Sequence, residues 1–436
     1  MKSKLLAILI LISSLHTNAE VTLDGSLGRR GALPGPDYQI GADLGKQHGG
    51  NLFHSFQDFN LNRAESATFS GPNSVNNVIS RVTGGNPSQI DGLIRFRGLS
   101  FLKKNSNLET IPNAEMYFLN PNGIMFGKNA KLDVQGGFHA STADYLRLKN
   151  GGRFDATNPR HSLLTVSPVE SFGFLDNKIA GISIEGIGEM AKVDGEGSMT
   201  GLVVPNRKTL SLIGGNIEIT GSYYHNDEYL REYRGYIRPL GNLTAASGRI
   251  NLASVASKGE VIPTHSTLDV STFNELGKII ISNKSLLEVS GPTAGNIFIR
   301  ADQLMVSDAS RILSNIRDYR EGHVVFFNEN HHDHARIDIE VRNLFVTDQS
   351  WIAGYSFTAG NLGNILILAD HIFLNNGSWI NSQSYTSGNT GNISIKTHYI
   401  CIEDSGIAVI ARNTGNAGKI HIQATEKMSG ADKTAG

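Results

Sequence analysis

The sequence predicts an all-β chain wound as a single-stranded parallel β-helix (β-solenoid) with extra-helical insertions. Three observations carry this. Gly makes up 48 of 436 residues while charged residues are only 18%, a turn-rich balance against about 7% Gly in an average chain. Helical periodicity is almost absent, which disfavours an α-solenoid or leucine-rich repeats. A five-residue unit with Ile or Leu at its second and fourth positions recurs through the C-terminal half, its last three copies starting at 364, 392 and 419. Alternation of period two puts both aliphatics on one face of a strand. A hydrophobic fraction of 39% excludes a disordered chain, and the lack of Gly-X-Y periodicity excludes collagen.

Residues 1–19 read as a secretory signal peptide. Lys2 and Lys4 precede an apolar run from Leu5 to Leu15, and Thr17-Asn18-Ala19 supplies small residues for cleavage after Ala19. The run is too short to anchor the chain in a bilayer, so no stable transmembrane segment is expected. The single cysteine, Cys401, suits an oxidising compartment and excludes a disulfide framework or a Cys-based zinc site. Lys plus Arg is 39 and Asp plus Glu is 40. That balance argues against nucleic acid or a polybasic membrane surface as partner.

The N-terminal half carries Asn120-Pro121-Asn122-Gly123-Ile124 between two strand-like runs, Ala114 to Leu119 and Met125-Phe126-Gly127. Asn first, Pro second and Gly fourth suit a type I turn. An Asn side chain can supply local bonds to backbone there. Around the turn lie Phe69-Ser70-Gly71-Pro72, the run Asn77 to Pro87, Leu132-Asp133-Val134, Phe138 to Ala143, and Ser171-Phe172-Gly173-Phe174-Leu175.

With these motifs, residues 21 to 221 resemble the N-terminal secretion domain of filamentous-haemagglutinin-type exoproteins, the cargo of two-partner secretion, most closely the cyanobacterial-type members. The resemblance implies a right-handed β-helix, exported through a dedicated outer-membrane β-barrel transporter with periplasmic recognition modules. It implies that Asn120, Pro121, Asn122, Gly123 and Ile124 help hold the recognition and folding-nucleation region. It also implies a secreted or cell-surface location by way of the periplasm, and an adhesin-like role toward a host, cell-surface or polysaccharide receptor. The expected domains are 20–221 for secretion, 222–240 as a Tyr/Arg-rich insertion, 241–423 as a β-helical shaft and 424–436 as a polar tail. Leu99 to Ile111 look inserted relative to that family, and the chain ends soon after the coil at 419, as a truncated product or short member would.

The shaft is read from its spacing. The units start at 216, 249, 278, 296, 336, 364, 392 and 419, and seven of the eight follow a Gly, whose backbone freedom suits a corner. Eight residues after four of these starts come Leu304-Met305-Val306, Leu344-Phe345-Val346, Ile372-Phe373-Leu374 and Ile400-Cys401-Ile402. Ser310, Ser350 and Ser378 lie fourteen residues after three of them. Three strands per turn in constant register describe a β-helix. At roughly 24 residues per coil the mature chain would make about 17 coils, or about 80 Å of rod. Trp351 and Trp379, 28 residues apart, are expected to stack. Two excursions are expected, one at 222–240 and one around Arg317 to His334; such excursions on a rigid rod are where binding function concentrates.

No cofactor or catalytic residue is expected. The rival reading is a β-helical carbohydrate-active enzyme, a polysaccharide lyase or hydrolase. Glycoside hydrolysis needs two opposed carboxylates, and neither the Asp-Asp pair nor the Gly-His-Gly segment of polygalacturonase-like enzymes occurs. His331-His332-Asp333-His334, near His323, is the one metal-like cluster. Consecutive side chains rarely converge on one ion, so the expected reading is a solvated flap with no metal.

Overall fold

The structure, a computed structural model, describes residues 20–96, 113–186, 201–221, 243–316, 319–320, 323–324, 335–426 and 429–430. Ala19, the 222–240 insertion and His331 to His334 lie outside the described residues.

The chain winds as a parallel β-helix with three faces. On the first face, one column of inward side chains runs the length of the rod: Leu52, Val78, Met116, Phe138, Leu210, Ile250, Ile297, Ile337, Ile365, Ile393 and Ile420, each the register partner of the next. The first ten are buried. The second face begins at Ser88–Ile90 and passes through Ile124–Phe126, Ile182–Glu185, Ile217–Thr220 and Lys278–Ser282. The third is a four-stranded and then a seven-stranded parallel sheet.

Two sequence expectations change here. The units at 216 and 278 sit on the second face, whereas those at 249, 296, 336, 364, 392 and 419 sit on the first. Both faces demand the same inward Ile-x-Ile after a corner, so composition alone does not separate them. From Asn296 onward the first two faces fuse into single long strands, Asn296–Val306, Arg336–Val346 and Asn364–Leu374. Among the described residues the inward column also has eleven rungs, not about 17, for a length of about 50 Å, because excursions such as Tyr145–Phe174 leave the helix.

Serine and asparagine ladders explain other constant positions. Each corner serine hydroxyl accepts the amide of its counterpart in the preceding coil: Ser310 from Ser285, Ser350 from Ser310, Ser378 from Ser350 and Ser405 from Ser378. Asn364 and Asn392 side chains likewise accept the amides of Asn392 and Lys419. Buried corner groups thus stay hydrogen-bonded, as desolvation requires. Trp351 and Trp379 are register partners, but they do not form the expected stack. Arg311 lies 4.5 Å over the Trp351 ring, and the Trp379 ring leans across Gly406, where an added Cβ would clash with it.

A second apolar core lies outside the helix. Residues leaving after Ser141 form antiparallel strands Tyr145–Leu148, Arg153–Asp155 and Val169–Phe174. Gly259–Pro263, from a later excursion, pairs antiparallel with Val169–Phe174. This sheet covers outward positions of the first face that would otherwise be wet: Phe53, Ile79, Leu119, Ile213, Ala253 and Phe298 pack against Leu146, Phe154, Phe172 and Val261. Burying each such large side chain is worth about 1.5–3 kcal/mol. Past the cover, outward positions turn exposed, as at Leu368. Tyr145 and Arg147 clamp the two excursions together through Glu260, with the Tyr145 hydroxyl donating at 2.6 Å and Arg147 Nη2 at 2.6 Å.

The N-terminal end is closed by antiparallel strands. Val21–Asp24 pairs with Arg30–Ala32 and Asn51–Phe59, and Lys46–His48 folds back on Asn51–Phe59, protecting what would be a bare edge. His54 sits fully buried there between Phe56 and Phe69. Burial lowers its pKa to about 4, against the opposing bond to the Gly41 carbonyl. The unfolded chain takes up that proton near pH 6.5 and the folded one only near 4, so stability falls as pH drops through this window. The expected loss approaches about 3 kcal/mol. Thermal melts at pH 7 and pH 4 should show it, and His54→Asn should remove this component.

Candidate functional site

The Asn120–Ile124 segment is a corner between the first and second faces. It joins Glu115–Leu119 to Ile124–Phe126, and each of these strands is paired on both sides. The expected turn forms: the Gly123 amide donates to the Asn120 carbonyl at 3.1 Å. Asn122 keeps a negative φ while Gly123 takes +119°, which suits type I rather than type II.

The two asparagines stitch this corner to the coil beneath. Asn120 is fully buried. Its Nδ2 donates to the Asn86 carbonyl and to Ser88 Oγ, both at 3.0 Å, while its Oδ1 accepts the Asn122 amide at 2.9 Å. Asn122 Nδ2 donates to the Gly84 carbonyl at 2.6 Å. On the other side, the Asn120 amide donates to the Ser141 carbonyl and the Ile124 amide to the Gly181 carbonyl. The turn is therefore a cross-coil clamp, and the corner at Gly84 to Pro87 is the other half of it.

Gly123→Ala tests the backbone term alone. An added Cβ would meet nothing nearer than Pro87 at 3.4 Å, so the cost comes from the positive φ, about 1–3 kcal/mol. A lowered melting temperature with unchanged secondary structure is the expected result.

Sequence reading missed a second constellation one coil earlier. Arg81 is wholly buried at an outward position in Asn77–Val82. Its Nε donates to Ser55 Oγ at 2.7 Å, Nη2 to Ser26 Oγ at 2.9 Å, and Nη1 to the Asp155 carbonyl and Ser162 Oγ, both at 2.5 Å. The guanidinium lies 4.2 Å over the Phe154 ring. Ser55, Ser26 and Thr83 hydroxyls in turn donate to Asp24. Burial pushes the Asp24 carboxyl up, but these bonds, with the Ser26 amide, hold it below its usual range. Burial lowers Arg81 to about 10, with Asp24 and Asp155 opposing, so it stays charged at neutral pH. One residue thus ties together the N-terminal cap, the first coils and the outer sheet. The charged residue amid Val78, Ile79 and Val82 was the available signal.

Glu115, His139 and Ser211 also line up across three strands. Glu115 Oε2 lies 3.2 Å from His139 Nε2, and His139 Nδ1 lies 2.9 Å from Ser211 Oγ. The spacing resembles a nucleophile–base–orienter line. Ser211, however, is fully buried and accepts from Asn251 Nδ2, so a substrate has no route to it. The line is an outward polar ladder, capped by Tyr117 stacked 4.5 Å from the His139 ring. His323 lies in a two-residue strand paired with Tyr319–Arg320. Among the described residues no group of three or more His, Cys, Asp or Glu could hold a metal, and no helix is long and apolar enough to cross a membrane.

No curated protein matches the sequence. Two solved structures align along most of their length at low similarity. The HMW1 secretion domain from Haemophilus influenzae is 15% identical with a TM-score of 0.39, covering 94% of this chain and 98% of that one. A filamentous hemagglutinin secretion domain is 11% identical with a TM-score of 0.36, covering 87% and 93%. The family model for the TPS secretion domain matches residues 19–299, a span that contains the clamp, the Arg81 constellation and both strands bound by Glu260. The chain belongs to the TPS secretion domain family, the export domain of two-partner secreted exoproteins.

Proposed function

We propose that a dedicated outer-membrane β-barrel transporter exports this chain by recognising its N-terminal coils with periplasmic modules, and that the Asn120–Ile124 clamp is the nucleus on which those coils assemble. The observation that carries this reading is the interlocked corner inside the family-matched span. Four side-chain bonds join residues 32 to 38 positions apart or fix the turn itself, so closing the corner orders two coils at once. Each later coil then adds by pairing to an existing edge, without a new nucleus. Stepwise folding outside the membrane would release free energy that favours outward movement.

Beyond the membrane the rod serves as a surface-interaction protein of adhesin type. Residues 1–19 act as the inner-membrane address, with cleavage after Ala19. Expressed in a Gram-negative host, the chain should reach the medium when its transporter is present and remain in the periplasm when it is absent. Equal release in both cases would remove the transporter from the account.

A further inference from the structure

A cavity of about 520 Å³, lined by both polar and apolar groups, opens where the third face meets the first, under the excursion at residues 264–267. Arg207, His265, Ser266, Asn296 and Arg336 are among its lining, and the described lining contains no carboxylate. Arg249 and Arg300 stand behind its Phe298 wall, with Arg249 4.1 Å and Arg336 5.0 Å from that ring. In a chain of net charge −1, this concentration of arginine is local, not background.

Among the described residues the arginines of this cluster outnumber the carboxylates paired with them. Asp338 is shared between Arg300 and Arg336, at 2.9 Å from each, and the exposed Glu340 reaches Arg300 at 3.4 Å. Arg249 donates only to neutral oxygens: Asn251 Oδ1 at 2.6 Å and the carbonyls of Thr264, His265 and Thr267 at 2.5 to 3.0 Å. These satisfy its hydrogen bonds without a carboxylate in direct contact. Burial lowers the Arg249 pKa to about 10, Arg336 and Arg300 push it the same way, and Asp338 opposes them. Among the described residues the exposed Arg207 has no carboxylate partner, and it is held at φ +63° on its turn. An anion in the cavity would relieve repulsion among these arginines.

We propose that this cavity binds an acidic sugar, with a carboxylate or sulfate placed between Arg207 and Arg336 and the ring's hydroxyls facing Ser266 and Asn296. The volume falls in the range of small-molecule sites and exceeds what one inorganic oxyanion fills. Hydroxyl, amide and guanidinium groups beside the Phe298 ring suit the mixed faces of a sugar ring. The inference gives the adhesin reading a ligand class and rests on that reading only for its setting, since purified protein suffices to test it.

The test is calorimetric titration of the full chain with a sulfated uronate-containing disaccharide, its desulfated form, lactose and sodium sulfate. Saturable binding of the sulfated disaccharide and none of lactose is expected. Retention of the desulfated form would assign recognition to the carboxylate, and its loss would assign it to the sulfate. Arg207→Gly suits the left-handed backbone, so it removes the charge without endangering the turn. It should weaken binding about tenfold or more, as expected for one charge-assisted bond, while leaving the melting temperature and transporter-dependent release unchanged. Sodium sulfate binding as tightly as the disaccharide would mean an adventitious ion only and overturn the proposal. So would unchanged binding by Arg207→Gly, or no binding at all.

Discussion

Replacing Arg81 by alanine is expected to destabilise the N-terminal half by about 3–5 kcal/mol, the range for breaking a buried charged network from one side. The side chain is fully buried and makes four hydrogen bonds to three separate parts of the chain. Its loss strands the Asp155 carbonyl, takes one donor each from the hydroxyls of Ser26, Ser55 and Ser162, and opens space under Phe154. Asp24 keeps its hydroxyl donors but loses the nearby positive charge that offsets its burial. Arg81→Met keeps much of the volume and should still lose most of this stability, because the unpaired polar groups rather than the cavity dominate. Guanidinium unfolding, followed by near-ultraviolet circular dichroism of the outer-sheet aromatics, would measure it. A change under 1 kcal/mol for either variant would show that the network is incidental.

Asn120→Ala is expected to cost about 2–4 kcal/mol, since the buried Ser88 Oγ and the Asn86 carbonyl lose Nδ2 and the Asn122 amide loses Oδ1. Asn120→Asp separates the two halves of that effect. It keeps the acceptor for the Asn122 amide but sets a carboxylate against the Asn86 carbonyl and Ser88 Oγ. It should therefore be at least as damaging as alanine at neutral pH, and less so in acid, where the protonated carboxyl can donate. Equilibrium unfolding of both variants across pH would check the order.

The β-helix was legible because its inward columns repeat one chemistry, Ile or Leu at alternate positions, and because corner Asn and Ser recur at fixed offsets. The turn at Asn120 was legible for a local reason: Pro at the second position and Gly at the fourth constrain the backbone wherever they stand. What the sequence concealed is non-local. Asn216–Thr220 and Lys278–Ser282 look like first-face units because the second face buries the same pattern, and only pairing across coils tells them apart. The outer sheet was concealed because Phe172 and Phe174 alternate as any half-buried strand would, with nothing local to say that their partner is Val261. Arg81 was hidden most completely. Its neutralising groups come from residues 24, 26, 55, 155 and 162, which no spacing rule connects.

The central claim is that the Asn120 corner matters to export as a nucleus, beyond its contribution to final stability. The most direct test compares release of Asn120→Ala and Ile395→Ala through the transporter. Ile395 is buried two residues beyond Ile393 on the same strand, far along the rod, and its truncation costs a similar 2–5 kcal/mol or so. The expected result is that Asn120→Ala is retained in the periplasm while Ile395→Ala still reaches the medium. Equal loss from the two, or full release of Asn120→Ala, would contradict it.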